Sequence, residues 1–321
     1  MSNKIIIIGG DPNSINSEII FKSWVKLNNQ LKKKIYLIGN YVLFRKQFKK
    51  LNYNLNIIKV KNLTDNFSAN NLKIIDIPLN FNKPFNVSIK NSSEYILRSL
   101  SLAHVLAKKK LVKGIINCPV NKELLRSKKR IGVTEFLASK CKIKDNSEVM
   151  LIHNKVMSVS PITTHINIKN VSKNITKKII ISKMLSLDKG FKKLFKKKPK
   201  IGILGLNPHN DEYSKNSEEM KQIIPAISFL KKRNLNISGP LVSDTIFING
   251  YKNYNVIVGM YHDQVLSPFK ALYHFDAINI TLGLDYVRVS PDHGPALDLI
   301  GKNKANYISL FECIKFINKL N

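Results

Sequence analysis

Residues 256–296 read VIVGMYHDQVLSPFKALYHFDAINITLGLDYVRVSPDHGPA, and the pattern they set decides how the rest of the chain is read. The apolar run Val256-Ile257-Val258 predicts a strand ending at Gly259, with Tyr261, His262, Asp263 and Gln264 directly after it. A second apolar segment, Ala277 to Thr281, carries Asn279 and runs into Gly283. A third, Tyr286 to Val289, contains Arg288 and leads into Ser290-Pro291-Asp292-His293-Gly294. Ligands of open parallel sheets bind beyond the carboxyl ends of the strands. Three successive strand ends with polar groups therefore point to an enzyme rather than a scaffold.

The same pattern recurs toward both termini. Ile5 to Ile8 predicts a buried strand before Gly9-Gly10-Asp11-Pro12-Asn13, with Ser14 or Ser17 available to cap a helix through Glu18 and Phe21. These glycines lack the GxGxxG spacing of a dinucleotide fingerprint. Lys34 to Ile38 predicts a strand, Tyr41 to Phe48 a helix, and Ile58 to Val60 and Ile74 to Ile77 short strands. A helix follows from Ser93 to Lys109, and a strand beginning Ile115-Ile116 ends in Asn117-Cys118-Pro119-Val120-Asn121-Lys122. Residues 126–135, RSKKRIGVTE, form a basic loop entering a helix from Thr134 to Cys141; it reads as a solvated surface or as a lure for phosphate. Val149 to Ile152 and Val156 to Val159 predict a hairpin turning at Asn154-Lys155, and Thr163-Thr164-His165 comes after it. A helix is expected from Val171 to about Leu187, a basic linker over 189–200, and a strand from Ile201 to Leu206 ending in Asn207-Pro208-His209. Met220, Ile223, Ile224 and Ile227 are spaced for one face of a helix from Glu218 to Leu230. Gly239-Pro240 reads as a break before the polar-apolar alternation of Ser243 to Ile248, and Ala305 to Leu320 as a closing helix.

With 321 residues the chain can bury a large core and favours two lobes over one. A net charge of +32 first brings nucleic acid or an anionic membrane to mind, but only six of the 53 basic residues are Arg and the rest are Lys. Nucleic-acid interfaces enlist Arg for bidentate and stacking contacts, so a solvated basic surface is expected, with no specific nucleic-acid or membrane partner. Cys118, Cys141 and Cys313 have neither metal spacing nor an even count and fit a reducing compartment. With no signal-type segment and no apolar run of membrane-spanning length, a cytoplasmic location is expected.

His165, His209 and His262 each follow an apolar strand-like run, and three imidazoles can hold a divalent ion while leaving positions for substrate oxygen. Hydrogen-bonded loop histidines are the plain alternative. Asp263 reads as a further ligand or as a carboxylate supporting His262. Lys270 and Arg288 are candidates to clamp a phosphate or carboxylate, Arg with the better fork geometry, or else they are surface charges.

The segments PVNK, GxTEFLA, TTH, GLNPH, GPLxSDTxF, YHDQ, NITLGL, RxSxDHGPA and the early GGDP, in this order, make the chain resemble the 4-hydroxythreonine-4-phosphate dehydrogenase family of vitamin B6 biosynthesis. The resemblance runs from about residue 5 to 315. It implies a two-lobed α/β/α fold like that of the isocitrate and isopropylmalate dehydrogenases, not the Rossmann fold, in a homodimer with the active site in the cleft between lobes. One lobe is expected to cover about 1–125 with 290–321, and 126–289 to form the second lobe and dimerisation region. The resemblance makes His165, His209 and His262 the ligands of one divalent metal (Zn, Mg, Co or Mn) shared between subunits. It makes Thr134, Lys270, Asn279 and Arg288 substrate-binding, and Asp292, His293, Gly294 and Gly301 part of the run that meets NAD or NADP. The reaction implied is oxidation of 4-phosphohydroxy-L-threonine at C3 and then decarboxylation to 3-amino-2-oxopropyl phosphate, with Lys122 and Asp263 the candidates for the proton acceptor. The family usually has GHTE, and this chain has Val133 in place of the histidine; the usual GDPxGIGPE here reads Gly10 to Glu18 as GDPNSINSE. Related enzymes acting on threonate or erythronate 4-phosphate are the alternative that Val133 strengthens, and a non-catalytic basic binding protein on the same fold is the other.

Overall fold

The computed structural model describes residues 2–63, 68–126, 132–143 and 147–320. Residues 127–131, most of the basic loop expected before Thr134, lie outside the described residues. The strands, in chain order, are β1 Ile5–Ile8, β2 Ile35–Gly39, β3 Asn56–Lys59, β4 Asn71–Asp76, β5 Gly114–Asn117, β6 Val149–His153, β7 Ser158–Thr163, β8 Ile201–Leu204, β9 Ile237–Leu241, β10 Val256–Tyr261, β11 Ile278–Leu282 and β12 Arg288–Pro291. The chain divides into two compact α/β units, Met1–Cys141 with Asp285–Asn321, and Lys142–Leu284. Residues 126–141 and 285–289, expected in the second lobe, thus fall with the first unit.

In the first unit the strands run in the order β3-β4-β2-β1-β5-β12, and all neighbouring pairs among them are parallel. The order differs from the 3-2-1-4-5-6 of the Rossmann fold, because β4 lies between β3 and β2 instead of beyond β1. β1 is four isoleucines, all buried, at the centre of this sheet. Such a run without alternation is what a parallel strand covered on both faces requires. Helix Ile89–Lys108 and the closing helix Ile308–Lys319 pack on the sheet, and Leu310, Cys313, Ile314 and Ile317 form the buried stripe of the latter.

In the second unit the order is β11-β6-β7-β10-β8-β9. β6 is antiparallel to both β11 and β7, while β7, β10, β8 and β9 are mutually parallel neighbours. The expected hairpin is present: Ile152 pairs with Val159, and Asn154 Oδ1 accepts from the amides of Val156 and Met157 at 2.9 Å each, which closes the turn.

Several local expectations are corrected. Ser17 does not cap the first helix, Asn16–Lys26, whose N-cap is Ile15; Ser14, one residue earlier, accepts from the Asn16 amide at 3.1 Å while its Oγ donates to the Asp11 carbonyl. The helix expected from Val171 is two, Val171–Asn174 and Lys177–Phe195, since Thr176 interrupts the run and caps the second through the amide of Ile179. That second helix absorbs the first half of the expected basic linker: its apolar face, ending at Phe191, is buried while its lysines other than the buried Lys183 project outward. The segment from Glu218 opens as a π-helical turn, Glu219–Ile223, before helix Ile224–Lys232, which leaves Met220 exposed and buries Glu219. Gly239-Pro240 lies inside β9 rather than breaking the chain, and the alternating Ser243 to Ile248 contains a short helix, Ser243–Ile246.

Candidate active site

β10 ends at Tyr261 and helix His262–Tyr273 begins directly after it, so the His262 imidazole stands at the carboxyl end of a parallel strand. β7 lies beside β10 with Tyr261 in register with Thr163, which brings His165, two residues further on, to the same edge. The two rings have centroids 6.0 Å apart. Imidazoles bound to one tetrahedral ion at metal–nitrogen distances of about 2.0–2.1 Å have centroids about 5 Å apart. A small rotation therefore fits this pair as two ligands. His209 does not complete a triad in one chain: among the described residues no group of three His, Cys, Asp or Glu is placed to hold a metal. Asp263 Oδ1 stands 3.4 Å from His262 Nδ1, and its side chain is 78% exposed, so its support of that ring is weak.

His209 sits in an unusual turn. His209, Asn210, Asp211, Glu212 and Tyr213 have φ of 52°, 60°, 49°, 45° and 57°, a run of left-handed residues with no glycine among them. Each costs on the order of 1–2 kcal/mol, so the surroundings must hold it. The buried carboxylate of Glu219 accepts from the amides of Leu206 and Asn207 at 2.7 and 2.9 Å, and Asn207 Nδ2 donates to both Glu218 and Glu219. Hydrogen bonds from Ser172 and from Asn207 hold the Glu218 carboxyl below its usual range.

Lys270 and Asn279 are elsewhere in this unit. Helix His262–Tyr273 carries Lys270 about 12 Å along its axis from His262. Asn279 is the second residue of β11, and through Ile152 and Val159 it is level with Ile257. That is on the order of 15 Å down the strands from His262, so Asn279 is not at a strand's carboxyl end as expected. Its Oδ1 is buried without a hydrogen-bond partner, an arrangement that suits an incoming donor.

In the first unit Arg288 opens β12 rather than ending it, in register with Ile115 of β5. It is 3% exposed. Its Nε donates to Asn117 Oδ1 at 2.6 Å and its Nη1 to Thr134 Oγ1 at 3.2 Å. Burial lowers the guanidinium to about 10, with the Glu135 carboxylate acting the other way, so it stays charged at neutral pH. Thr134 comes from the first turn of helix Val133–Lys140, whose first residue, Val133, is half-buried and offers no hydrogen bond. Lys122 is exposed, one residue after Asn121, whose amide donates to Asp11 Oδ2 at 3.3 Å.

The altered early motif keeps this corner together. Ser14 and Asn16 are not among the residues with positive φ, so the family's glycines are not needed for backbone freedom there. Asn16 Nδ2 instead bonds the carbonyls of Gly9 and Pro119 at 2.9 and 2.8 Å, tying the loop after β1 to the loop after β5. Gly10 is required beside it, with φ +73° and only 2.5 Å between an added Cβ and Asn16 Nδ2. Burial raises the Asp11 carboxyl above its usual range, against the amide bonds from Asn13 and Asn121 that lower it. Of the run expected to meet a nicotinamide cofactor, the Asp292 amide is held by Ser309 Oγ at 2.9 Å and His293 Nδ1 lies 3.0 Å from the Gly294 carbonyl. Gly294 and Gly301 have open space where a Cβ would stand, which leaves room for a ligand to approach the backbone.

Asn117, Glu219 and Gln264 were not assigned roles from sequence. Asn117 ends a strand in the same way as the assigned residues, but nothing local tells that its partner is Arg288, 171 residues away.

The model of the pyridoxal phosphate biosynthetic protein PdxA family matches residues 30–317. A 4-hydroxythreonine-4-phosphate dehydrogenase of Sulfurihydrogenibium sp. is 37% identical over 97% of this chain and 96% of its own length. A Clostridium botulinum protein provisionally assigned as a D-threonate 4-phosphate dehydrogenase is 30% identical over 98% and 96%. The crystal structure of 4-hydroxythreonine-4-phosphate dehydrogenase from Klebsiella pneumoniae superposes with a TM-score of 0.85 at 27% identity, covering 98% of each chain. The chain therefore belongs to the PdxA family, and it is an oxidoreductase of the dehydrogenase type.

Proposed function

We propose that the chain oxidises 4-phosphohydroxy-L-threonine at C3 with NAD as hydride acceptor and releases carbon dioxide, leaving 3-amino-2-oxopropyl phosphate. The observation that carries this reading is the buried, charged Arg288 held by Asn117 and Thr134, in a chain matched by the PdxA family over residues 30–317. Substrate anions are strong partners for a pre-oriented guanidinium. Binding energy from such a non-reacting end fixes the carbon to be oxidised. Lys270 and the unpartnered Oδ1 of Asn279 serve as further substrate contacts, the one for an anionic group and the other for a donor. The Asp292 to Gly301 run would hold the nicotinamide, which when bound would supply the acceptor for the C3 hydride, and Lys122 or Asp263 would take the hydroxyl proton. The resulting β-keto acid then loses its carboxylate as carbon dioxide.

His165 and His262, with His209, are assigned to a divalent cation drawn from two subunits of a homodimer, since one chain presents only a pair. When bound, the cation acidifies the substrate hydroxyl and withdraws electron density as carbon dioxide departs. Chelation followed by His262→Ala tests this assignment. NADH formation should stop with chelator, return with added cation, and stay at least about 100-fold down in the variant. Full turnover by metal-free protein or by His262→Ala would remove the metal from the reaction. Lys122→Met and Asp263→Asn separate the two proton acceptors, because loss of the true one lowers kcat and removes the acidic limb of its pH profile, where protonation of the acceptor limits the rate.

A second reading is supported by Val133. Next to Thr134 it offers no hydrogen bond where the family usually has a histidine, and a relative 30% identical carries the name of a D-threonate 4-phosphate dehydrogenase, which makes threonate 4-phosphate the second candidate substrate.

A further inference from the structure

Gln264 is the third residue of helix His262–Tyr273, and its carboxamide makes three contacts within the fold. Oε1 accepts from the Met260 amide at 2.6 Å, and Nε2 donates to the Gly205 carbonyl at 2.7 Å and to Ser243 Oγ at 2.8 Å. The three partners lie on different segments: β10 itself, the loop after β8 that leads to His209, and the short helix after β9. Gly259 makes room for the group, since a Cβ there would stand 2.9 Å from Gln264 Oε1 and 2.6 Å from Val265 Cγ1. Glu219 grips the next two residues of the same loop, Leu206 and Asn207, and the Gly205 amide donates to the Leu241 carbonyl at 3.0 Å. The left-handed turn begins at His209, just beyond this anchored base.

We propose that Gln264 is a positioning residue that sets the His209 segment against the His262 helix, and that the carboxamide specifically is required. The inference rests on the reading of His209 and His262 as metal ligands. A glutamate of the same shape cannot donate to Gly205 and places negative charge against that carbonyl. A leucine leaves both the Gly205 carbonyl and the Met260 amide without this partner. In either case the base of the His209 turn loses its link to the helix that begins with His262, and the turn's left-handed residues lose part of what holds them.

The test uses the full chain carrying Gln264→Glu or Gln264→Leu, with backbone hydrogen exchange over residues 205–213 and zinc affinity from chelator competition. The melting temperature of metal-free protein serves as the control for a purely structural effect. In the glutamate variant, exchange over 205–213 should rise by about tenfold or more while the closing helix Ile308–Lys319 keeps its protection. Zinc affinity should fall by about 10–100-fold, as when an outer partner of a metal ligand is removed. If neither variant folds, Ser243→Ala, which removes one acceptor only, should raise exchange over 205–213 severalfold. Exchange and zinc affinity equal to those of the unaltered chain in the folded variants would overturn the proposal. Zinc binding that is indifferent to His262→Ala would remove the metal reading, and the exchange result alone would then decide the role of Gln264.

Discussion

Arg288 is buried and charged, and its orientation depends on oxygens from two other segments, Asn117 and Thr134. Arg288→Lys keeps a cation but loses the fork, so KM for the phosphorylated substrate should rise by about tenfold or more, with a smaller change in kcat. Asn117→Leu strands the buried Nε donor of Arg288 and should destabilise the fold by about 1–3 kcal/mol, read by denaturant unfolding. Lys73 is a different buried cation: burial pulls it down to about 8, and nearby Lys4 adds to the shift. Below about pH 8 it is charged in the folded and unfolded chain alike, and the cost of burying that charge is fully present. Between about 8 and its ordinary 10.5 the folded chain gives up the proton first, so this group's contribution to stability rises with pH. The stability difference between the wild type and Lys73→Met should therefore move in favour of the wild type across that window. At the strained turn, exposed Glu212 has φ 45°, so Glu212→Gly should stabilise the chain by up to about 1 kcal/mol, seen as a higher melting temperature.

At the scale of elements, the legible parts were those in which one local signal dominates. Four β-branched residues in a row placed β1 at Ile5–Ile8, and the Asn154 turn placed the hairpin of β6 and β7. The strand-end logic located His262 and His165, because β7 and β10 are neighbours in register. It failed for Asn279 and Arg288, which lie at the beginnings of their strands, where function depends on what lies opposite in space. Gly239-Pro240 misled because its breaking tendency is local, while β9 gains its pairing from β8. The first turn of the Glu219 segment was hidden for a related reason: a π-helical turn moves the buried face by one residue, placing a carboxylate inside and Met220 outside. Glu219 then serves the loop that carries His209, so Glu219→Leu should weaken that loop's exchange protection before it affects the first unit's sheet.

For the molecule as a whole, the charge of +32 is carried mostly by surface lysines, and several lie over aromatic rings, such as Lys59 over Tyr41 at 5.0 Å. Only a few are paired with carboxylates on the described surface, so like-charge repulsion opposes the compact state. Salt should screen it: the melting temperature should rise between low ionic strength and about 0.3 M sodium chloride, where the screening length falls to roughly 6 Å. No described helix is long and apolar enough to cross a membrane. Family membership places this basic surface on an oxidoreductase, and the proposed substrate contact beside Thr134 is tested at Val133. Val133→His should shift the ratio of kcat/KM toward the amino-acid substrate over threonate 4-phosphate by about tenfold, the value of one well-placed hydrogen bond.

The most direct measurement is NADH formation by the purified chain with added divalent cation, on 4-phosphohydroxy-L-threonine and, in parallel, on threonate 4-phosphate and erythronate 4-phosphate. The account predicts turnover on the amino-acid phosphate, with one carbon dioxide released per NADH. Turnover confined to the sugar-acid phosphates, or none on any of the three with metal bound, would contradict it.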